Sequence, residues 1–204
     1  MHPKLLQHDL DQETATLLER EDSLALDCEM MGLNPFRDRL CVVQIGTASG
    51  ECFLVQLFAG DDPVRLRQVL ENQAIQKIFH YARLDLLFLK MQANIETANI
   101  YCTKIASRLS RTYTDRHGLK EVVRDLLGEK LDKQNQSSDW GRAELSTEQI
   151  YYAAYDVKYL FAIRSILDQM LEREGRTSLA RELFAFLPVQ RKLDELQLEG
   201  IFEH

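Results

Sequence analysis

Several things are scarce in this chain, and each shortage narrows the field. Cysteine occurs four times in 204 residues, and Cys28, Cys41, Cys52 and Cys102 form no CxxC pair and have no histidine at ligand spacing. A structural zinc site or redox motif is therefore not expected, and free, mostly buried thiols in a reducing compartment are. Four prolines and nine glycines are too few for a collagen-like or low-complexity chain. No run approaches the roughly 18 uncharged apolar residues of a membrane span. The acids in MHPKLLQHDLDQETATLL break up the apolar core that a signal peptide needs. A cytoplasmic protein is the expectation. No internal repeat, Gly/Ser linker or long charge run divides the sequence, so residues 1–204 read as a single domain.

What is present is ordinary in amount and uneven in placement. Hydrophobic residues make up 45% and charged residues 28%, with a net charge of −7. Residues 101–142 nevertheless hold nine Lys/Arg against six acids, and the rest of the chain holds 16 against 26. Such a basic belt suits a short anionic ligand, or equally a solvated helix face.

SLALDCEM (23–30), RLCVVQIGTA (39–48) and ECFLVQLF (51–58) read as a meander of three strands. Asp61-Asp62-Pro63 opens a short helix to about Glu71, IQKIFHY (75–81) is a further strand, and LDLLFLKM (84–91) an apolar helix. Beyond it the pattern is helical. A helix is entered near Cys102, and HGLKEVVRDLLG (117–128) is amphipathic with a Gly C-cap. KQNQSSDWGRAEL is a polar connector, and Ser146-Thr147-Glu148 caps one long helix to about Glu174. One more helix is expected before Pro188 and another after it. Strands first, then alternation, then helices predict an α/β fold with a mixed sheet covered by helices and a mostly helical C-terminal half.

Against this background three groups of acids stand out. Asp27 and Glu29 lie two apart on the first strand of that meander and so share a face. Acid-x-acid pairs are common by chance among 32 acids, but LALDCEM is otherwise apolar. Two carboxylates in an interior strand repel and lose hydration, and a divalent cation is a common remedy. Cys28 points to the other face and reads as a core thiol. Asp85 opens the apolar helix after IQKIFHY, where it serves either the helix dipole or a site. Asp156 interrupts the apolar face of YYAAYDVKYLFAI, with Tyr152 one turn earlier on that face. Four converging carboxylates suit a two-metal site for in-line phosphoryl transfer.

Through LALDCEMMGL, IFHYARLDLLFL, QIYYAAYDVKYL and the stretch HGLKEVVRDLLGEKLDKQNQSSDW, the chain resembles the tyrosine subgroup of the DEDD superfamily of 3′–5′ exonucleases, ribonuclease D in particular, over residues 20–170. RDRLCVVQI, CTKIASRLSRTYTDRHGLKE and KQNQSSDW narrow the resemblance to the compact nanoRNase C group, which degrades very short RNA. The resemblance implies an RNase H-like fold with a five-stranded mixed sheet flanked by helices, without the accessory helical nucleic-acid-binding domains of full-length ribonuclease D. It implies two Mg²⁺ or Mn²⁺ ions held by Asp27, Glu29, Asp85 and Asp156, with Tyr152 orienting the attacking water. It implies Met30 at the 3′ sugar, Leu33 wedged between two bases, and a ring-shaped homo-oligomer, an octamer. Cys28 departs from the Thr or Met frequent at that position.

His80, Tyr113, His117 and Gln136 are further candidates for substrate contact, since the 5′ phosphate of a dinucleotide needs donors at a fixed distance. His80 reads equally as a satisfied core histidine. Trp140, Tyr151 and Tyr155 read as packing residues. The expected activity is metal-dependent 3′–5′ hydrolysis of short RNA, dinucleotides above all, to nucleoside 5′-monophosphates. The competing readings are general trimming of tRNA or other RNA 3′ ends, an exonuclease that also takes DNA, and a non-catalytic RNA-binding module.

Overall fold

A computed structural model describes residues 2–131, 138–198 and 200–202. Its sheet is built from β1 (Pro3–Gln7), β2 (Ser23–Met30), β3 (Leu40–Gly46), β4 (Cys52–Gln56), β5 (Gln76–Phe79) and β6 (Ile100–Cys102). The strand order is β1-β4-β3-β2-β5-β6. The meander β2-β3-β4 is antiparallel, whereas β1 joins β4, β5 joins β2 and β6 joins β5 in parallel. The sheet is mixed, as expected, but has six strands rather than five. The short outer strands account for the difference. PKLLQ carries a proline, a lysine and a glutamine, which suit an edge and leave little period-two signal. The three residues of β6 run straight into a helix.

Among the described residues there are eight helices, α1 (Gln12–Leu18), α2 (Val64–Glu71), α3 (Ala82–Ala93), α4 (Thr103–Ser110), α5 (Leu119–Leu127), α6 (Thr147–Lys158), α7 (Leu160–Arg173) and α8 (Thr177–Glu195). Three local expectations are corrected. The start of α2 is not capped by Asp61 or Asp62. The carboxylate of Asp9, distant in sequence, accepts from the backbone N–H groups of Arg65 and Leu66, both at 3.0 Å. The long helix breaks at Tyr159, because α6 lies on the sheet while α7 turns to pack against α4 and α5. The apolar period runs through the break without Gly or Pro, so nothing local marks it. Pro188, conversely, sits inside α8 without ending it. Helix α8 packs against α3, α4 and β6, and burial of Phe184 and Leu187 contributes about 1.5–3 kcal/mol per large side chain, which offsets the roughly 3 kcal/mol a mid-helix proline costs.

The core is the sheet interior and the helix faces on it. Every residue of β3 and β4 is buried. Helix α6 begins with a capping box, in which Ser146 Oγ accepts from Gln149 N–H and the Gln149 side chain accepts from the Ser146 N–H. It lies close on β3, since a Cβ at Gly46 would stand 3.2 Å from Val157 Cγ2. That approach leaves little room for any side chain at position 46. No described helix is long and apolar enough to cross a membrane, and all four cysteines are free and buried.

Candidate active site

Strand pairing assembles the site. Because β5 runs parallel to β2 in the register Leu26↔Phe79, the end of β5 delivers the chain beside Asp27. There His80 and Tyr81 turn it, with Tyr81 in the left-handed region at φ 71°, and α3 starts immediately with Asp85 in its first turn. A register shift between Glu29 and Met30 ends the regular pairing of β2 with β3. From the opposite side α6 brings Tyr152 and Asp156, one turn apart, down onto the same strand.

Carboxylate oxygens of Asp27, Glu29 and Asp156 lie within 4.8 Å of one another. Asp85, only 6% exposed, stands outside that tight group but adds to the repulsion felt by Asp27 and Glu29. Burial pushes Asp85 up to about 8. Burial, with repulsion from Asp156 and Asp85, pushes Glu29 up to about 9. Asp27 is driven well above the ordinary carboxylate range by burial and then by Asp156. Acids so arranged resist ionising together unless positive charge joins them. The donor set is all carboxylate oxygen, which fits hard cations such as Mg²⁺ or Mn²⁺ and gives a thiolate-seeking metal nothing. Burial and the neighbouring Asp156 also raise the Tyr152 phenol above its ordinary value, and its hydroxyl is hydrogen-bonded to Asp156. Tyr152 therefore keeps its proton and acts as a donor.

These groups open into a cleft of about 670 Å³, whose walls include Met30, Leu33, His80, Tyr81, Lys104 and Trp140. Met30 and Leu33 both line the cleft, Leu33 with 78% of its surface exposed. His80 also reaches the wall, with Nδ1 2.8 Å from Thr103 Oγ1. Since that hydroxyl donates to the Phe79 carbonyl at 3.1 Å, the imidazole Nδ1–H is the donor to it. Tyr113 and His117 are not on this wall. Tyr113 is exposed beside Arg111, and His117 is buried with Nδ1 2.9 Å from Ser107 Oγ. Gln136 lies outside the described residues.

Three contributors were not singled out from the sequence as parts of the site. Cys28 does face away from Asp27, but it lines the cleft beside Asp85, and burial first and then the Asp85 charge hold its thiol protonated. It is more than a core thiol. Lys104 lies on the wall with Nζ 3.6 Å from the Tyr81 ring centroid. Only the fold distinguishes it from the rest of the basic belt. Trp140 is buried, as expected of a packing residue, and tilts against the Tyr152 ring at 6.0 Å. Its segment is pinned from below by Gln56, whose amide donates to the carbonyls of Arg142 and Ala143. Tyr151 and Tyr155, read as packing residues, are instead partly exposed at 41% and 45%, because α6 turns that face away from the sheet.

Residues 5–172 match the 3′–5′ exonuclease family, and the chain belongs to it. Within that family it is a ribonuclease D-like chain of the nanoRNase C kind. NrnC of Brucella melitensis superposes with a TM-score of 0.91 at 44% identity, over 96% of this chain and 95% of that one. Solved forms of that protein include one bound to pGG and one with bound Mg²⁺. Ribonuclease D of Granulibacter bethesdensis is 32% identical over 84% of this chain and 43% of its own length. DNA polymerase I of Aquifex aeolicus is 34% identical over 78% of this chain and 26% of its own. The chain thus spans less than half the length of the curated ribonuclease D relatives it matches.

Proposed function

We propose that the chain is a metal-dependent 3′–5′ exoribonuclease that hydrolyses short RNA, dinucleotides above all, to nucleoside 5′-monophosphates. The observation that carries this is the closing of Asp27, Glu29 and Asp156 on one point, with Asp85 and Tyr152 beside them, at the floor of a cleft sized for a small ligand. Likeness to NrnC, which binds pGG, favours a short substrate.

In this reading Asp27, Glu29, Asp85 and Asp156 hold two divalent ions, Mg²⁺ or Mn²⁺. Bound there, the ions would make a water nucleophilic at neutral pH and neutralise the charge developing on the leaving 3′ oxygen. Tyr152 donates its phenol hydrogen bond and orients the attacking water; a phenol held above its ordinary pKa is no general base. Cys28 stays protonated beside Asp85 on the cleft wall. Met30 and Leu33 meet the terminal nucleotide through apolar contact, and His80 and Lys104 supply polar contacts along the wall. The same proposal includes one exonuclease domain over residues 1–204, a cytoplasmic setting that suits four free thiols, and self-association into a ring. Exposed Leu196, Ile201 and Phe202 offer apolar surface for association.

A second reading, action on DNA or on longer RNA ends, is favoured by the likeness to the Aquifex polymerase. The deciding experiment incubates the protein with 5′-labelled RNAs of two to seven nucleotides, a long RNA and a matching DNA, in Mg²⁺ or Mn²⁺ with an EDTA control. Metal-dependent loss of the dinucleotide at least as fast as the longer substrates is expected. Intact dinucleotide left behind while long RNA or DNA disappears would replace the first reading by the second.

A further inference from the structure

Gln44 is an anomaly in the middle of the sheet. It is fully buried, and among the described residues neither Nε2 nor Oε1 has a hydrogen-bond partner. Buried polar side chains are nearly always paired, and a leucine or methionine would fill the same space without an unmet amide. Its position indicates what the amide is for. Gln44 pairs with Asp27 across β3 and β2, as Gly46 pairs with Ala25 two rungs away. The Gly46–Ala25 rung lies directly beneath Val157 of α6. Alternation along β3 places Gln44 on that same face, beside Asp27 and beneath the turn of α6 that carries Tyr152 and Asp156. Directly opposed residues have Cβ atoms about 4.5–5.5 Å apart, a spacing that puts one side chain's polar end within range of the other's.

We propose that Gln44 is a positioning residue for Asp27. When a divalent cation draws the Asp27 carboxylate into coordination, the Gln44 amide donates a hydrogen bond from Nε2 to that carboxylate and fixes its orientation. The amide never touches the cation or the RNA. This rests on the metal-dependent reading above. In that reading ligating carboxylates are themselves hydrogen-bonded, and loss of such a support typically weakens metal affinity by about 10–100-fold.

The test separates support of a ligand from packing. Gln44→Met keeps the length and removes the amide. Mg²⁺ binding is measured by calorimetry, and the melting temperature of the EDTA-treated protein is followed alongside. The expected result is a dissociation constant about tenfold or more higher, with the metal-free melting temperature unchanged or raised, since that state loses no hydrogen bond. An unchanged dissociation constant overturns the proposal and leaves Gln44 a packing residue. Should Gln44→Met fail to fold, the ¹⁵N-labelled wild-type protein gives the answer. The Gln44 side-chain amide signals must shift as Mg²⁺ is added, with the same midpoint as binding, and a pair that stays in place overturns the proposal. Failure of the wild-type protein to bind Mg²⁺ at all would instead overturn the metal-dependent reading, and this inference with it.

Discussion

Tyr152 holds the most informative single hydroxyl in the molecule. Its ring is packed against Trp140 and its oxygen faces Asp156, so removing the oxygen leaves the packing in place. Tyr152→Phe is expected to lower turnover by roughly 10²–10³, the effect of losing one transition-state hydrogen bond of about 2.7–4 kcal/mol. RNA affinity, measured in Ca²⁺ to halt chemistry, is expected to change little. Equal losses in both would make Tyr152 a binding residue. At this scale most of the site was legible. Acids in apolar surroundings at positions 27, 29 and 156 are conspicuous because burying charge is costly. Cys28, Lys104 and Gln44 were not, since a thiol, a surface lysine and a strand glutamine look ordinary until the fold supplies Asp85, Tyr81 and Asp27 as neighbours.

Among the elements, α6 decides whether the site exists, because it alone brings Tyr152 and Asp156 to β2. Its seat is Gly46, where an added Cβ meets Val157 Cγ2 at 3.2 Å and the Ala25 Cβ at 3.5 Å. Gly46→Val forces α6 away from the sheet. The expected outcome is a loss of about 1–3 kcal/mol in denaturant-measured stability, together with a fall in RNA hydrolysis larger than the population unfolded explains. Wild-type turnover in a folded Gly46→Val protein would contradict this account of the helix seat. The elements also set the limits of local reading. Strands β2 to β5 follow from their apolar runs. The break at Tyr159 and the continuity through Pro188 do not, because both are decided by what each helix packs against.

For the whole molecule, the carboxylate cluster ties stability to pH. Folding raises the affinity of Asp27, Glu29 and Asp85 for protons, while in the unfolded chain these groups titrate near ~4. Above that value the folded state binds more protons than the unfolded one, so this contribution to stability falls as pH rises from about 4 toward 9. The metal-free protein is expected to melt at a lower temperature at pH 8.5 than at pH 5.5. Asp27→Asn, which removes one acid from the cluster, is expected to flatten that slope and abolish hydrolysis, and saturating Mg²⁺ to remove it in the wild type. A metal-free melting temperature that rises with pH in both proteins would contradict the assignment. Assembly is tested at the same scale. Light scattering is expected to report a mass several times 23.7 kDa, and a monomer at micromolar concentration would refute the proposed ring.

Much of this protein is determined locally. The order of the main strands and helices, the lack of an apolar run long enough to span a membrane and the acids set in apolar surroundings all follow from residue type and spacing, because apolar periodicity and misplaced charge are properties of short segments. Tertiary structure decided the rest. The outer strands β1 and β6, the capping of α2 by Asp9, the bend between α6 and α7 and the neighbours of Cys28, Lys104 and Gln44 each depend on contacts between residues far apart in the chain. A four-carboxylate pattern can be read along the sequence. Its gathering around one cleft required the parallel pairing of β2 with β5 and the close seat of α6 on Gly46.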